Sequence, residues 1–283
     1  MRIVQAVPTL EGAGVHLKRV FGHSSLPQFD PFLLLDDFHG NDPKKYIKGF
    51  PWHPHRGIET ITYLIYGKVE HGDSLGNAGV IEPGDVQWMT AGSGIIHQEM
   101  PKGRKDGLMR GLQLWANLPA SQKMTEPAYR DVHSSQIPEV SSPGVRVKIV
   151  AGTYGNTTGP VQGIFIQPQL FDVNLDAGGA FIHEVPEGYT YFAYILDGSV
   201  TVDGGEKEVS EEHLVSLKSG KPVTLTGGKR GAKIFAAAGK PLNEPVAWGG
   251  PIVMNTKDEL RQAFLDYEQG TFLRHVNRQQ DPS

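Results

Sequence analysis

Thr60-Ile61-Thr62-Tyr63-Leu64-Ile65-Tyr66, closed by Gly67, is a run of β-branched and aromatic residues with a turn residue at its end. Side chains branched at Cβ crowd a helix and suit an extended chain, so the run reads as a strand. The reading extends outward. Val86-Gln87-Trp88-Met89 follows the turn Glu82-Pro83-Gly84-Asp85, and Leu112-Gln113-Leu114-Trp115-Ala116 alternates. Strands at such short spacing predict a sandwich or barrel. The 35 Gly and 20 Pro among 283 residues fit a chain of strands and turns.

The pattern recurs. Phe192 to Val200 can be laid on Ile61 to Val69, and His213 to Leu217 on Asp85 to Met89. The two matches keep the same order, which predicts a duplicated β domain. His133 to Gly144 (HSSQIPEVSSPG) is rich in Ser, Pro and Gly and is the expected linker. The domains would then be 1–134 and 142–283. One helix is signalled near the end. Thr256-Lys257-Asp258-Glu259 has the capping-box form, Leu260, Ala263, Phe264 and Tyr267 recur at helical spacing, and Gly270 can close it. Its apolar stripe is expected to pack on the outside of a barrel, without chemistry.

Composition excludes several classes. The formal charge is −4, which is wrong for a protein that holds nucleic acid by general electrostatics. There is no Cys, so thiolate nucleophiles, Cys-based zinc sites, Fe–S clusters and disulfides are excluded. The conspicuous apolar run Phe32-Leu33-Leu34-Leu35 stops at Asp36, far short of a membrane helix. The first residues lack an apolar signal-peptide core. A cytoplasmic protein is the expectation.

Two segments can carry chemistry. In Trp52-His53-Pro54-His55-Arg56-Gly57-Ile58-Glu59, an extended chain puts His53 and His55 on one face, with Glu59 in the same parity. In Gly92-Ser93-Gly94-Ile95-Ile96-His97-Gln98-Glu99, His97 and Glu99 share a face in the same way. Facing strands would gather three imidazoles and a carboxylate. That set suits Fe, Mn, Co, Ni, Cu or Zn, and is poor for Ca or Mg. An isolated His-x-His is more often a surface pair; the second segment makes the difference. Gly92-Ser93-Gly94 lacks the phosphate-loop pattern. Lys44, Lys45 and Lys48 read as a solvated loop. His23, His39, His71, His133 and His275 lie in polar or turn-like contexts and receive no role.

The His-x-His pair, the trailing Glu59, Gly67, Pro83-Gly84 and His97 resemble the two-part motif of the cupin superfamily. More narrowly, the chain resembles the pirin family. The matching stretches are Asp30 to Asp37, His53-Pro54-His55-Arg56-Gly57, Pro83 to Gly92 (PGDVQWMTAG), Gly94 to His97, Gly111 to Trp115 and Gly250 to Thr256. They span nearly the whole chain. Gly49 precedes His53 by a shorter gap than in cupins at large, a departure that pirins share.

The resemblance implies an all-β bicupin: two cupin (double-stranded β-helix or jelly-roll) barrels in tandem with a short C-terminal helix. The first would bind one divalent metal, Fe2+ foremost, with Mn, Co, Ni, Cu or Zn as other occupants. The implied ligands are His53, His55, His97 and Glu99. In cupins at large the ligand carboxylate is the residue matching Glu59, which here becomes a neighbour of the ligands or a fallback ligand. At the offsets of the repeat, the four ligands fall on Glu184, Pro186, Leu225 and Gly227, with His183 near the first. The second barrel would therefore be metal-free.

The implied activity is that of a quercetin 2,3-dioxygenase, opening a flavonol with O2 and releasing CO. Glu99 would be the catalytic base. Phe32, Trp52, Met89, Gln113 and Trp115 would form the pocket wall, with ordinary core packing the plain alternative for each. The rival reading is a non-catalytic, iron-dependent redox sensor that binds a transcription factor or metabolic enzyme. The implied partners are a small aromatic substrate and O2, with no direct nucleic acid and no membrane. A monomer is the default.

Overall fold

Ile58–Tyr66 forms an interior strand of a seven-stranded sheet in the computed structural model, which describes residues 1–218 and 220–274. His275 lies outside the described residues. The strand is buried along seven of its nine residues because Val86–Thr90 and Met109–Asn117 pair with its two edges. A run apolar on both faces suits such a position. Phe50–His55, Ile95–Lys102, Lys68–Asp73 and Ala78–Ile81 make a four-stranded sheet. The strands form sheets with edges rather than closed barrels, in the jelly-roll manner.

Most of the remaining β structure is one nine-stranded sheet built on Thr190–Val202 and Pro222–Gly239, and two short hairpins, Thr153–Tyr154 with Thr157–Thr158 and Ala247–Gly249 with Ile252–Met254, complete it. The duplication holds residue by residue. Ile61, Thr62 and Tyr63 oppose Trp88, Gln87 and Val86; Phe192, Ala193 and Tyr194 oppose Ser216, Val215 and Leu214. These are the partners that the two sequence offsets require. Gly67 and its counterpart Gly198 both have positive φ, near +87° and +73°, where glycine alone is unstrained. One 18-residue strand, Pro222–Gly239, plays the part that Ile95–Lys102 and Met109–Asn117 play separately.

Two compact units result, and the linear division at 134 and 142 does not describe them. One unit comprises Met1–Val7, Arg19–Leu35 and Val132–Leu242; the other comprises Pro8–Lys18, Asp36–Asp131 and the chain from Asn243 onward. The cause is long-range pairing. Arg2–Gln5 completes the nine-stranded sheet beside His213–Lys218, and the C-terminal segment packs within the unit that holds His53, His55 and His97. That unit is called the histidine unit below, and the other the companion unit.

The expected linker is partly folded. It contains a short 3-10 turn at Ser134–Gln136 and the strand Glu139–Ser142, which pairs with Val145–Ala151. Ile137, buried among the polar residues, anchors it. Each unit has its own apolar core. The companion core includes Val147, Phe171, Tyr191 and Ile234, and the histidine unit buries Val15, Leu64, Val69 and Met109 together. Each such side chain contributes about 1.5–3 kcal/mol by leaving water.

The helix spans Lys257–Glu268. Its box is complete: Glu259 N donates to Thr256 Oγ1 at 3.2 Å, and Thr256 N donates to Glu259 Oε2 at 2.8 Å. The buried face differs from the expected stripe. Ala263 and Asp266 are buried, whereas Phe264 and Tyr267 are 38% and 42% exposed. Lys44, Lys45 and Lys48 are exposed, as a solvated loop requires. No helix among the described residues is long and apolar enough to cross a membrane.

Candidate metal centre

His53 and His55 sit on Phe50–His55, and His97 sits on the antiparallel neighbour Ile95–Lys102, directly opposite His53. Strand alternation and that register bring the three rings together. Nε2 of His53 lies 3.0 Å from Nε2 of His55 and 3.0 Å from Nε2 of His97. His55 and His97 are 2% and 1% exposed. Among the described residues, these three form the metal-competent cluster of His and carboxylate donors.

Two of the rings, those of His53 and His55, are held in one tautomer by backbone carbonyls. Nδ1 of His53 is 2.8 Å from Pro51 O, and Nδ1 of His55 is 3.1 Å from Pro251 O. A carbonyl only accepts, so both Nδ1 atoms carry the proton and both Nε2 atoms present bare lone pairs. Two lone pairs 3.0 Å apart repel unless a cation lies against both. Metal–nitrogen bonds of about 2.1 Å put ligands about 3.0 Å apart at right angles and about 3.4 Å apart in a tetrahedron. Both His53 pairs are near the right-angle edge, and the three donor atoms lie within 4.8 Å of one another, so the donor set suits a transition metal.

Burial keeps the imidazoles neutral. It pushes His55 down to about 3, with the His53 charge adding to it and the Pro251 carbonyl opposing. Burial lowers His97 well below the ordinary range, and His55 and His53 lower it further. Burial also lowers His53, against the Pro51 carbonyl. Neutral imidazole is the form that binds metal.

Glu99 is not among the converging donors. Its carboxylate is held by Thr62 Oγ1, 2.9 Å from Oε1, and by Gln113 Nε2, 3.5 Å from Oε2. Thr62 Oγ1 also lies 2.6 Å from Gln113 Oε1. A hydroxyl has one proton, so it cannot donate to both acceptors. With Glu99 protonated the ring closes: Oε1–H donates to Thr62, Thr62 to Gln113 Oε1, and Gln113 Nε2 to Glu99 Oε2. With Glu99 ionised, Thr62 donates to the carboxylate and its bond to Gln113 Oε1 is given up. Burial pushes Glu99 up to about 7, against the Thr62 bond, so both states are accessible near neutrality. Glu59 is engaged elsewhere: Thr90 Oγ1 donates to its Oε1 at 2.7 Å. Burial raises Glu59, opposed by bonds from Thr90 and Trp88.

The expected pocket residues divide. Trp115 packs edge-to-face on His55 with centroids 5.1 Å apart, and Gln113 holds Glu99. Trp52 is 53% exposed beside His53. Met89 is fully buried opposite Thr60 in the sheet. Phe32 falls in the companion unit, edge-on to Phe192 at 5.3 Å, so core packing accounts for it.

Several residues escaped the sequence reading. Trp248 lies 5.8 Å from Trp115 by centroids, and Pro251 orients His55. Thr62 was quoted only as part of a strand. His71 is buried rather than solvated, opposite Glu99 and stacked on Tyr129 at 6.0 Å. Of these, only the stretch around Pro251 carried a signal, as part of the Gly250 to Thr256 resemblance.

The companion unit carries the equivalent positions with different chemistry. Glu99 opposes His71, and Leu225 opposes Val202, the counterpart of His71 in the repeat. His97 opposes His53 as Val223 opposes His183. The counterparts of His53, His55, His97 and Glu99 are therefore His183, Val185, Val223 and Leu225. This corrects the positions expected from the offsets, which drift because loops of different length separate the strands. His183 is a buried core residue: its Nε2 lies 2.8 Å from Gln169 Oε1, its ring packs on Phe171 and Tyr191, and burial pushes it down to about 4.

A duplicated jelly roll with imidazoles gathered in one half defines a two-domain cupin. The pirin family model matches residues 14–116, and the model of the pirin C-terminal cupin domain matches residues 170–273. The chain belongs to the pirin family. It is 43% identical over 269 residues to a Pseudomonas aeruginosa protein provisionally named quercetin 2,3-dioxygenase, covering 93% of this chain and 94% of that one. It is 40% identical over 263 residues to pirin of Homo sapiens, covering 91% and 88%. The crystal structure of a quercetin 2,3-dioxygenase from Acinetobacter baumannii superposes with a TM-score of 0.87 at 34% identity, covering 96% of this chain and 97% of that one.

Proposed function

We propose that the protein is a metal-dependent dioxygenase of the quercetin 2,3-dioxygenase type, acting on a flavonol or similar small aromatic with O2 and releasing CO. The observation that carries this reading is the convergence of three imidazole nitrogens, in the unit that also buries a carboxylate poised near neutrality. Relatives bearing the quercetin dioxygenase name support it.

His53, His55 and His97 would hold one divalent metal, Fe2+ first among Mn, Co, Ni, Cu and Zn, with Glu99 as fourth ligand or as the base beside it. When bound, such an ion supplies open positions for a chelating hydroxyl–carbonyl pair and for O2 chemistry. Glu99 takes the substrate's hydroxyl proton onto Oε1. The ring through Thr62 and Gln113 then stabilises the acid, so the proton is kept in the site. Trp115 and Trp248 give the site an apolar wall that excludes water, which strengthens the electrostatic interactions inside it.

The test is O2 uptake with CO detection, on iron-loaded protein plus quercetin, with His97→Ala as control. Uptake matched one-to-one by CO, and lost in the control, is the expected result. No uptake with iron verified in place would overturn the reading. The redox-sensor alternative would then stand, since a chain without Cys can respond to redox state only through its metal.

A further inference from the structure

We propose that the C-terminal segment from Trp248 to Phe272 is a working part of the metal centre, and that Asp266 is its positioning residue, acting through Arg56. The proposal rests on reading His53, His55 and His97 as metal ligands.

Arg56 directly follows His55 and is 2% exposed. Each nitrogen of its guanidinium donates once. Nε donates to Ser93 O at 2.6 Å, Nη1 to Asp266 Oδ2 at 2.7 Å, and Nη2 to Phe272 O at 2.8 Å. The Phe272 ring lies 4.1 Å from its central carbon, a cation–π distance. One side chain thus joins the end of the His53–His55 strand, the turn leading to His97, and the helix with its tail. Asp266 accepts in addition from Gln262 Nε2 at 2.8 Å and Arg274 Nη2 at 3.2 Å.

The backbone of the segment docks on the same strand end. Val253 N donates to Arg56 O at 3.0 Å, and Ile252 bridges Arg56 in parallel. Lys123, itself buried, donates to Gly57 O at 2.7 Å, Val253 O at 3.0 Å and Asn117 Oδ1 at 2.5 Å. Gly57 has φ near +79°, and a Cβ there would collide with the Val253 carbonyl. The chain just past the strand end is therefore a glycine because the segment lies against it.

This docking places Pro251 O against His55 Nδ1, which fixes the tautomer and aim of that ring. Carbonyl and carboxylate partners of this kind orient a metal-binding imidazole and raise its basicity. A buried ion pair is weak evidence of stability, because desolvating both charges offsets much of their attraction. Its placement here fixes geometry: without Asp266, Arg56 loses its charge partner and the segment loses its anchor, so His55 turns away from the other two nitrogens.

The test uses the metal-free full chain titrated with Co2+ alone, reading the dissociation constant and the ligand-field absorption. Asp266→Asn is expected to bind tenfold to a hundredfold more weakly with a shifted band. Asp266→Glu keeps the charge and is expected to restore the wild-type band. Val147→Ala, which opens a cavity in the companion core outside this segment, is the control and should lower the thermal midpoint with the band unchanged. Should Asp266→Asn not accumulate folded, Arg56→Lys makes the same comparison. Wild-type affinity and band in the variant that is measured would overturn the inference, as would an equal change in Val147→Ala. Failure of the wild type to bind Co2+ would overturn the metal-site reading beneath it.

Discussion

The Thr62 hydroxyl lies 2.9 Å from Oε1 of Glu99, and its hydrogen bond favours the ionised form of this buried carboxylate. A hydrogen bond to a charged group contributes about 1.5–3 kcal/mol. Thr62→Val keeps the shape and removes the donor. Glu99 should then titrate about one to two units higher. The readout is the pH midpoint of metal affinity, which rises in the variant while its plateau moves little.

Glu99 also sets the pH dependence of the wild type. Its proton is held until about pH 7, and in the proposed role of fourth ligand it would have to lose it. Metal affinity should climb about tenfold per pH unit up to neutrality and then level off. Chelator-competition titrations from pH 5 to 9 check this, and Glu99→Gln should remove the slope.

Stability without metal runs the other way. The folded value of Glu99 lies above its ordinary 4.5, so the folded chain binds the proton more tightly than the unfolded chain. That contribution is complete below about pH 4.5 and lost as pH rises through about 7. Glu99→Gln should be spared this loss, measured as the difference in thermal midpoint between the two proteins at pH 5 and pH 8. His55 has the opposite sign: its value is depressed to about 3, so its contribution is present above about 6.5 and lost as pH falls.

The two buried glutamates should separate kinetically. Glu99→Gln is expected to lower kcat at least a hundredfold, in the range of general base catalysis. Glu59→Gln should lower it less than tenfold, because Glu59 bonds to Thr90 rather than facing the imidazoles. Equal losses of metal and activity in both would instead mark Glu59 as the ligand.

One metal per chain is expected from elemental analysis, and His97→Ala should abolish it. In the companion unit Val185, Val223 and Leu225 occupy the places of His55, His97 and Glu99, and none can ligate. Two metals per chain would contradict this assignment.

Local chemistry made much of this legible. The run Thr60 to Tyr66 announced its strand, Thr256 and Glu259 announced the helix start, and two His-bearing segments announced the centre. What escaped was set by contacts far along the chain. Nothing in Arg2 to Gln5 says that it completes a sheet beside His213–Lys218. Asp266 sits on a face that apolar spacing would leave to solvent, and only Arg56, 210 residues earlier, explains its burial. Phe32 looked like pocket wall because aromatic residues serve both pockets and cores. The repeat was visible at Gly67 and Gly198, yet its offset slipped across loops of unequal length.

The most direct measurement of the central claim is X-ray absorption on the iron-loaded protein. Six light-atom ligands near 2.1 Å, with the outer-shell scattering of three imidazoles reduced to two in His97→Ala, are the predicted result. A four-coordinate tetrahedral site, or imidazole scattering unchanged by His97→Ala, would contradict it.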